Sequence, residues 1–222
     1  MTGTAAPTDT AHLAWDASWQ DAAERAGWET PEPMVIETAT RLRLAGAERA
    51  LDLGAGVGRH ALALARLGYR VAALDASRAG LDLIAERAGA AGLDVETLEG
   101  RMTDIPLPAA SVDYLLSWNV IYHGDPEIVR GAIAEIARLL RPGGTFQGTM
   151  LTLRNRHFGH GTEIAPRTWV NPEAGGDKGH PHFYCSAGEL ADLFEGFEIV
   201  SLVQSDHGSP GNWHWQLVAE RS

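Results

Sequence analysis

Residues 51–58 read Leu-Asp-Leu-Gly-Ala-Gly-Val-Gly, and this stretch decides the fold of the 222-residue chain. Its apolar start predicts a buried strand, and its alternating glycines predict a tight turn that leads into a helix. A second apolar run, residues 71–74, ends at Asp75. A strand, a glycine turn, a helix and a second strand that ends in a carboxylate are typical of a unit that holds an adenosine-bearing ligand at the edge of a parallel sheet.

Strands and helices alternate along most of the chain. The predicted strands cover residues 48–53, 70–75, 93–98, 112–118 and 145–152, and the predicted helices cover residues 57–67, 78–90 and 126–140. Such alternation indicates an α/β fold with a doubly wound, mostly parallel sheet and helices on both faces. Two closing strands, residues 197–203 and 213–219, flank a turn-forming run, so a hairpin is expected to end the sheet with an antiparallel strand.

Residues 1–44 come before this alternation and predict a helical cap. One helix is expected over about residues 11–27, and a second is expected from Pro31 to Leu44, since Pro suits the first turn of a helix. Three of the seven tryptophans fall within the first 28 residues. The first helix is therefore either docked on the core or a flap over the ligand, and Trp19 is its predicted ligand contact.

Residues 154–184 also stand outside the alternation. They are rich in His, Gly, Asn and Pro and show no clear period, which predicts a His-rich lid insertion. No linker divides the chain into two halves, so a single domain over residues 1–222 is expected.

Composition narrows the classes of partner. The net charge is −11 and no cluster of Lys or Arg is present, which argues against a nucleic-acid partner. No run of about 18 apolar residues could span a bilayer, and the first residues lack the features of a targeting signal. The single Cys185 excludes an internal disulfide and suits a reducing compartment. We expect a cytoplasmic protein without a membrane partner; a homodimer through the N-terminal tryptophans stays open.

The glycine spacing separates two kinds of cofactor. Gly54, Gly56 and Gly58 form Gly-x-Gly-x-Gly, whereas a dinucleotide fingerprint needs a glycine at the position of Arg59. Asp75 lies 21 residues after Gly54, where its carboxylate can accept hydrogen bonds from both hydroxyls of a ribose. An adenosine cofactor other than a nicotinamide dinucleotide is favoured, and a nicotinamide oxidoreductase is a minor alternative.

With these motifs, the chain resembles class I S-adenosylmethionine-dependent methyltransferases over about residues 45–153. The resemblance rests on the glycine turn preceded by Asp52, on Asp75, on Met-Thr-Asp-Ile-Pro-Leu at residues 102–107 and on Leu-Arg-Pro-Gly-Gly at residues 140–144. It implies a Rossmann-like seven-stranded sheet with an antiparallel C-terminal strand, and S-adenosyl-L-methionine as the cofactor. The His-rich segment and the closing Trp-His-Trp are loosely similar to tellurite-resistance-type small-molecule methyltransferases.

The resemblance also implies a set of cofactor-binding residues. The set contains Asp52, Gly54, Ala55, Gly56, Gly58, Asp75, Ala76, Met102, Thr103, Asp104, Trp118 and Asn119. The glycine turn would line the methionine part, Asp75 the ribose, and Asp104 the exocyclic amine of the adenine. Trp118 and Asn119 would lie under the sulfonium. Arg59 is either a partner of the methionine carboxylate or a solvent-facing helix residue.

The candidate catalytic residues are Tyr122, His123 and His182. Tyr122 and His123 follow the fourth predicted strand, at the end where open α/β sheets place their ligand crevice. His123 is either a base or substrate-orienting group, or a loop histidine beside the next helix. His182 is the predicted lid residue facing the methyl group.

A metal site is the competing interpretation of the His-rich segment. His180, His182 and Cys185 carry ligand types that suit zinc, but their spacing matches no established zinc pattern. No metal is therefore predicted.

Together these features predict methyl transfer to a small-molecule nucleophile by in-line displacement. A methyltransferase for a peptide or larger natural product is the first alternative, with residues 154–184 as its recognition surface. A non-catalytic S-adenosylmethionine-binding module is the second.

Overall fold

The computed structural model describes residues 8–222 as helices packed around one mixed β-sheet. The helices are α1 (His12–Gln20), α2 (Ala22–Ala26), α3 (Pro33–Leu44), α4 (Arg59–Arg66), α5 (Arg78–Ala91), α6 (Pro126–Leu139) and α7 (Ala187–Leu193). The strands are β1 (Arg49–Leu53), β2 (Arg70–Asp75), β3 (Val95–Glu99), β4 (Val112–Ser117), β5 (Leu140–Thr152), β6 (Thr162–Ala165), β7 (Thr168–Val170), β8 (His182–Cys185), β9 (Phe197–Asp206) and β10 (Trp213–Arg221).

Seven of these strands form the expected Rossmann-like sheet. Strands β3, β2, β1, β4 and β5 lie side by side in that order and are parallel. Strand β10 then pairs antiparallel with β5, and β9 pairs antiparallel with β10. The predicted α/β class and antiparallel C-terminal strand are therefore confirmed. The order in which strands are added to the sheet reverses between β1 and β4, which are parallel neighbours, and open α/β sheets form their ligand crevice at such a point.

The segment between β5 and α7 is more regular than its sequence indicates. Strand β8 pairs in parallel with the end of β5, and β7 and β6 follow by antiparallel pairing. Two short 3₁₀ turns, Pro172–Ala174 and Gly176–Gly179, connect β7 to β8. Strand β8 is buried along its whole length, so it shows no alternation of apolar and polar residues that the sequence could reveal.

The predicted first helix is broken into α1 and α2. The break is at Asp21, whose backbone is extended and whose Oδ1 accepts a hydrogen bond of 2.7 Å from the N–H of Ala23. An Asp in this position caps the next helix and ends the previous one. Helix α3 begins at Pro33, close to the predicted start.

Apolar side chains of the helices pack on both faces of the sheet and so keep the strand ends in place. On one face α6 buries Val129, Ala132, Ile133 and Ile136, a spacing that puts them on one side of a helix. The other face is covered by α3, α4 and α5. No helix within residues 8–222 is both long and apolar enough to cross a membrane.

Candidate active site

A cavity opens at the carboxyl ends of β1, β2 and β4. Its wall is formed by Asp9, Ala11, His12, Trp15, Trp19, Trp28, Leu53, Gly54, Ala55, Gly56, Val57, Arg59, His60, Leu74, Asp75, Ala76, Gly100, Arg101, Met102, Trp118, Asn119, Val120 and His123. These residues come from the N-terminal cap, the glycine turn and the ends of several strands. The cavity thus lies at the switch point of the sheet, as the sequence predicts.

The glycine turn brings the backbone close to this cavity. Gly54 and Gly56 have φ values of 75° and 53°, which L side chains rarely adopt. A Cβ on Gly54 would lie 2.2 Å from a methyl carbon of Val120, and one on Gly56 would lie 3.1 Å from the indole of Trp19. The turn can therefore only be made by glycine, and it leaves room for a ligand where side chains would otherwise be.

Asp75 ties the turn to the end of β2. Its Oδ2 accepts a hydrogen bond of 2.7 Å from the N–H of Gly56, and its Oδ1 accepts one of 2.8 Å from the N–H of Ser77. Burial raises the pKa of Asp75, although these two N–H groups oppose the rise. Because a carboxylate offers about four lone-pair sites, acceptor capacity remains for a pair of ligand hydroxyls.

Two buried polar atoms near the turn have no hydrogen-bond partner within residues 8–222. They are Oδ2 of Asp52 and Nε1 of Trp118. Burial raises the pKa of Asp52 to about 7, even though the N–H of Ala61 donates to this carboxyl and opposes the rise. Buried polar groups are normally paired, and Trp118 lines the cavity, so its Nε1 fits a site that is completed by a polar ligand. The glycine turn and this N–H together suit the amino acid end of S-adenosylmethionine.

Three tryptophans of the N-terminal cap close one side of the cavity. Trp15 stacks on Trp19 with ring centroids 4.9 Å apart, and the edge of Trp28 lies 5.0 Å from Trp15. Asp16 lies on α1 and anchors this helix, because its Oδ1 accepts hydrogen bonds from Ser77 Oγ at 2.7 Å and from the N–H of Ala79 at 3.2 Å. Trp19 is 6% exposed and lies on the cavity wall.

The residues just before α1 connect the cap to three separate parts of the molecule. Thr8 Oγ1 donates to Asp125 at 2.9 Å, and Asp9 accepts from Nε of Arg101 at 2.7 Å. Thr10 Oγ1 lies 2.9 Å from Nδ1 of His180. We refer to residues 8–10 as the N-terminal strap.

Four of the predicted cofactor residues do not line the cavity. They are Asp52, Gly58, Thr103 and Asp104. Asp104 is exposed, and its contact with an adenine amine stays a prediction. Arg59 does line the cavity, and the alternative of a solvent-facing Arg59 is wrong. Its side chain is only 11% exposed and lies 3.3 Å from Oε1 of Glu32. Burial lowers the pKa of Arg59, and Glu32 opposes this shift.

His123 reaches the cavity from the loop after β4 and is paired with a carboxylate. Its Nε2 lies 3.2 Å from Oδ2 of Asp177, which belongs to the second 3₁₀ turn. Burial would raise the pKa of Asp177, but the neighbouring His123, His182 and Lys178 outweigh it and lower the pKa. Asp177 is therefore an ionised carboxylate on the far side of the His123 ring.

His182 lies behind this pair and is absent from the cavity wall. Its Nδ1 is 2.7 Å from the carbonyl oxygen of His180, and its Nε2 is 3.0 Å from Nζ of Lys178. Burial lowers the pKa of His182 to about 4, so the ring is neutral at pH 7. The carbonyl oxygen can only accept, so Nδ1 carries the proton of the neutral ring and Nε2 accepts from the ammonium. Nε2 also lies 3.2 Å from Oδ2 of Asp177, to which it donates no proton in this state. His182 thus supports Asp177 and Lys178 in this structure.

Tyr122 is also outside the cavity wall. Its ring packs against His123 with centroids 4.6 Å apart, and burial raises the pKa of its hydroxyl well above 10.0. The contact between the two rings therefore holds one side of the His123 ring in place.

The cluster around Asp177 contains donor atoms that a metal ion could use. Ligand atoms of His123, Asp177 and His182 all lie within 4.8 Å of one another. The ammonium of Lys178 is already among them, 2.8 Å from Oδ1 of Asp177. A second cation in that place would be repelled by this charge.

On the other side of the cavity, Asn119 links β4 to the β9–β10 hairpin. It has a φ of 63°, a left-handed conformation that Asn tolerates better than most residues. Its N–H donates to Oγ1 of Thr149 at 2.8 Å, and its Nδ2 lies 3.0 Å from Nε2 of His207. Sequence reasoning missed His207, Thr149 and Asp177, since no local motif marks them.

The glycine turn and the strands around it match a known family. Residues 50–144 match the family described as "Methyltransferase domain". Together with the sheet order, this match confirms the resemblance, and this part of the chain is a class I S-adenosylmethionine-dependent methyltransferase domain.

Three curated relatives carry methyltransferase names. The cypemycin N-terminal methyltransferase of Streptomyces sp is 37% identical over 95 residues, which are 42% of this chain and 38% of that protein. An uncharacterized methyltransferase of Mycobacterium tuberculosis is 37% identical over 120 residues, 54% of this chain and 46% of that protein. A probable S-adenosylmethionine-dependent methyltransferase of Mycolicibacterium smegmatis is 31% identical over 176 residues, 68% and 62% of the two chains. The chain therefore spans less than two thirds of each relative.

Solved structures share the fold at low identity. One is the 1,6-didemethyltoxoflavin-N1-methyltransferase of Burkholderia thailandensis, solved with bound 1,6-didemethyltoxoflavin and S-adenosylhomocysteine. Its TM-score is 0.71 at 22% identity, and the match covers 100% of this chain and 93% of that chain. The cyclase SpnF has a TM-score of 0.71 at 18% identity, with 99% and 97% covered. TehB of Haemophilus influenzae has a TM-score of 0.64 at 18% identity, with 86% and 63% covered.

Proposed function

We propose that this protein transfers a methyl group from S-adenosyl-L-methionine to a small-molecule nucleophile. One observation carries the proposal: a single cavity is lined by the glycine turn, by Asp75 and by His123. A group that can accept a proton thus shares one space with the features that suit the cofactor. Neither a binding module nor a structural protein needs that combination.

The chain's own residues would hold the cofactor by complementary polar groups. The ribose hydroxyls would use the remaining lone pairs of Asp75, and the amino acid end would meet the glycine turn. When bound, S-adenosylmethionine supplies an electrophilic methyl carbon on a sulfonium. The contribution of the protein is then to align the acceptor with that carbon, since in-line displacement depends on near-attack geometry.

A small acceptor agrees with the way the cavity is closed. Trp15, Trp19 and Trp28 line the cavity together with the glycine turn, so an acceptor would bind in a cavity and not on a flat surface. The net charge of −11 disfavours a nucleic acid. The buried thiol of Cys185 agrees with a reducing, cytoplasmic environment.

A peptide acceptor is the second candidate. It is favoured by one relative, the cypemycin N-terminal methyltransferase, although that match covers 42% of this chain. For such an acceptor, residues 154–184 would be the recognition surface. Protection of this segment from hydrogen exchange by a peptide, but not by small acceptors, would support the peptide over the small molecule.

Calorimetric titration with S-adenosylhomocysteine, followed by turnover of methyl-labelled S-adenosylmethionine against phenols, thiols and amines, tests the proposal. We expect binding and transfer to at least one acceptor class. Binding without transfer to any acceptor, peptides included, would favour a non-catalytic module. No binding, together with binding of NAD, would favour an oxidoreductase and overturn the proposal.

A further inference from the structure

The pairing of His123 with Asp177 bears on which acceptor this site serves. His123 lines the cavity, and its Nε2 faces Oδ2 of Asp177 at 3.2 Å. Its other ring nitrogen, Nδ1, makes no hydrogen bond within residues 8–222, where the contact with Asp177 is the one hydrogen bond of the ring. One nitrogen is therefore paired with a partly buried carboxylate, and the other has no protein partner among these residues.

The carboxylate decides which nitrogen carries the proton. An ionised carboxylate can only accept hydrogen bonds, and Lys178 keeps Asp177 ionised by an ion pair of 2.8 Å. In neutral His123 the proton must then be on Nε2, which leaves a lone pair on Nδ1. This is the arrangement by which a carboxylate orients a histidine base and stabilises its protonated form.

Lys178 and His182 hold the Asp177 carboxylate in place. Lys178 bridges it to Nε2 of His182, and the Nδ1–H of His182 donates to the carbonyl of His180. His182 is 1% exposed, and the side chain of Asp177 is 14% exposed. A chain of four side chains, His182, Lys178, Asp177 and His123, thus ends at the cavity wall. The residues proposed to hold the cofactor, Asp75 and the glycine turn, are not part of this chain.

We propose that His123 is a general base positioned by Asp177, and that the methyl acceptor is a weakly acidic hydroxyl such as a phenol or an enol. This inference rests on the proposed methyl transfer. Thiolates and free amines attack a methyl group with little help from a base. A phenolic hydroxyl with a pKa near 10 is almost fully protonated at neutral pH, so it needs a base as it reacts.

The proposed methyl transfer needs only the acceptor, S-adenosylmethionine and His123. The acceptor O–H transfers its proton to Nδ1 of His123 while an oxygen lone pair forms the new O–CH₃ bond. The S–CH₃ bond breaks, its electron pair stays on sulfur, and the positive charge moves from the sulfonium to the imidazolium. Asp177 faces that imidazolium, and the proton is later released to water.

The first experiment measures which nitrogen of His123 is protonated, and it needs no methyl transfer. Nitrogen-15 NMR of histidine-labelled protein at pH 8 should show His123 with its proton on Nε2. In Asp177→Asn the amide can accept or donate, so the spectrum should show both tautomers for His123. His160→Gln, which changes an exposed histidine outside the cavity wall, should leave the His123 signals unchanged. Equal tautomer populations in the unchanged protein would overturn the inference.

The second experiment uses phenols of graded acidity with S-adenosylmethionine at saturation. For a phenol with a pKa near 10, His123→Gln should lower kcat by about 10²- to 10⁴-fold, the usual contribution of a general base. For a nitrophenol that is already ionised, the same variant should lose much less. Asp177→Asn should follow the same pattern with a smaller loss, which a purely structural role would not produce.

The outcomes separate this inference from the proposed function. Transfer to thiols or amines alone, unchanged in His123→Gln, would overturn the hydroxyl acceptor while leaving the methyltransferase proposal intact. An equal loss on all phenols would overturn the base assignment. Failure to bind S-adenosylhomocysteine would instead remove the proposed function on which the inference rests.

Discussion

The cofactor half and the acceptor half of the cavity are built in different ways. In the cofactor half, Asp75 accepts hydrogen bonds from backbone N–H groups of Gly56 and Ser77, no more than 19 residues away. In the proposed acceptor half, His123 meets Asp177 across 54 residues. The first half is a local backbone motif, whereas the second depends on a side-chain pair between distant loops. A substitution in one loop can therefore break this pair without changing the backbone motif.

The largest expected effect is the loss of cofactor binding when the backbone motif is filled. In Gly54→Val the side chain would overlap Val120 in a backbone conformation that valine avoids. Overpacking and backbone strain together would cost about 4 kcal/mol in the native turn, so we expect the turn of the free protein to move. Binding must then restore the native turn, and affinity for S-adenosylhomocysteine should fall by up to about 10³-fold. Calorimetry measures the loss, and thermal melting checks that the variant is folded. Gly188→Ala, where a Cβ meets nothing within 4 Å, is the matched control.

The next effect concerns Asp52, the buried carboxyl of the cofactor half. Its pKa near 7 in the folded state lies above the usual 3.8, so the folded protein keeps a proton that the unfolded chain releases. The stability contributed by Asp52 is complete below about pH 4 and is lost as pH rises to about 7. Asp52→Asn should therefore be more stable than the unchanged protein at pH 8, by up to about 4 kcal/mol, with little difference at pH 4. Urea unfolding at both pH values measures this, and a difference independent of pH would contradict it.

A smaller effect is expected at the tryptophan cover. Trp19→Ala removes the indole that packs against Gly56 and Trp15. Affinity for S-adenosylhomocysteine should fall by about 10-fold, which corresponds to about 1.4 kcal/mol. Trp213→Ala, in the β9–β10 hairpin and outside the cavity wall, should leave that affinity unchanged. Equal losses in the two variants would show that Trp19 makes no specific contribution to cofactor binding.

The smallest expected effect is that of metal removal. Because Lys178 places an ammonium between Asp177 and His182, we expect no change in methyl transfer after treatment with a chelator. The measurement is initial rate before and after EDTA. A loss that zinc restores would show that an ion replaces Lys178 in the acceptor half.

The contrast between the halves also explains what the sequence could predict. The glycine turn, Asp75 and the start of α6 at Asp125 and Pro126 follow from rules that act over a few residues. Asp177 could not be found in this way, because its surroundings of Gly, Lys and His resemble any exposed loop. Its role depends on β8, which brings residues 176–182 against the loop after β4.

Other differences have similar physical causes. The single helix expected over residues 11–27 breaks because one Asp21 side chain caps the second half. His182 was predicted to face the methyl group from the lid, yet both its ring nitrogens contact protein groups behind His123. Direct contact of His182 with an acceptor stays a prediction. Its sequence neighbours carry no signal for burial, since β8 lacks alternation.

The N-terminal strap has a consequence for the kinetics of this protein. It joins the cap to the loop before α6, to the turn at Arg101 and to His180, and the cap covers the cofactor side of the cavity. We expect spent cofactor to leave after these contacts and the anchor at Asp16 have opened. Release should then be slower than the chemical step, as in many enzymes with a covering segment. Mixing the enzyme with both substrates should therefore give a rapid first turnover followed by a slower steady rate.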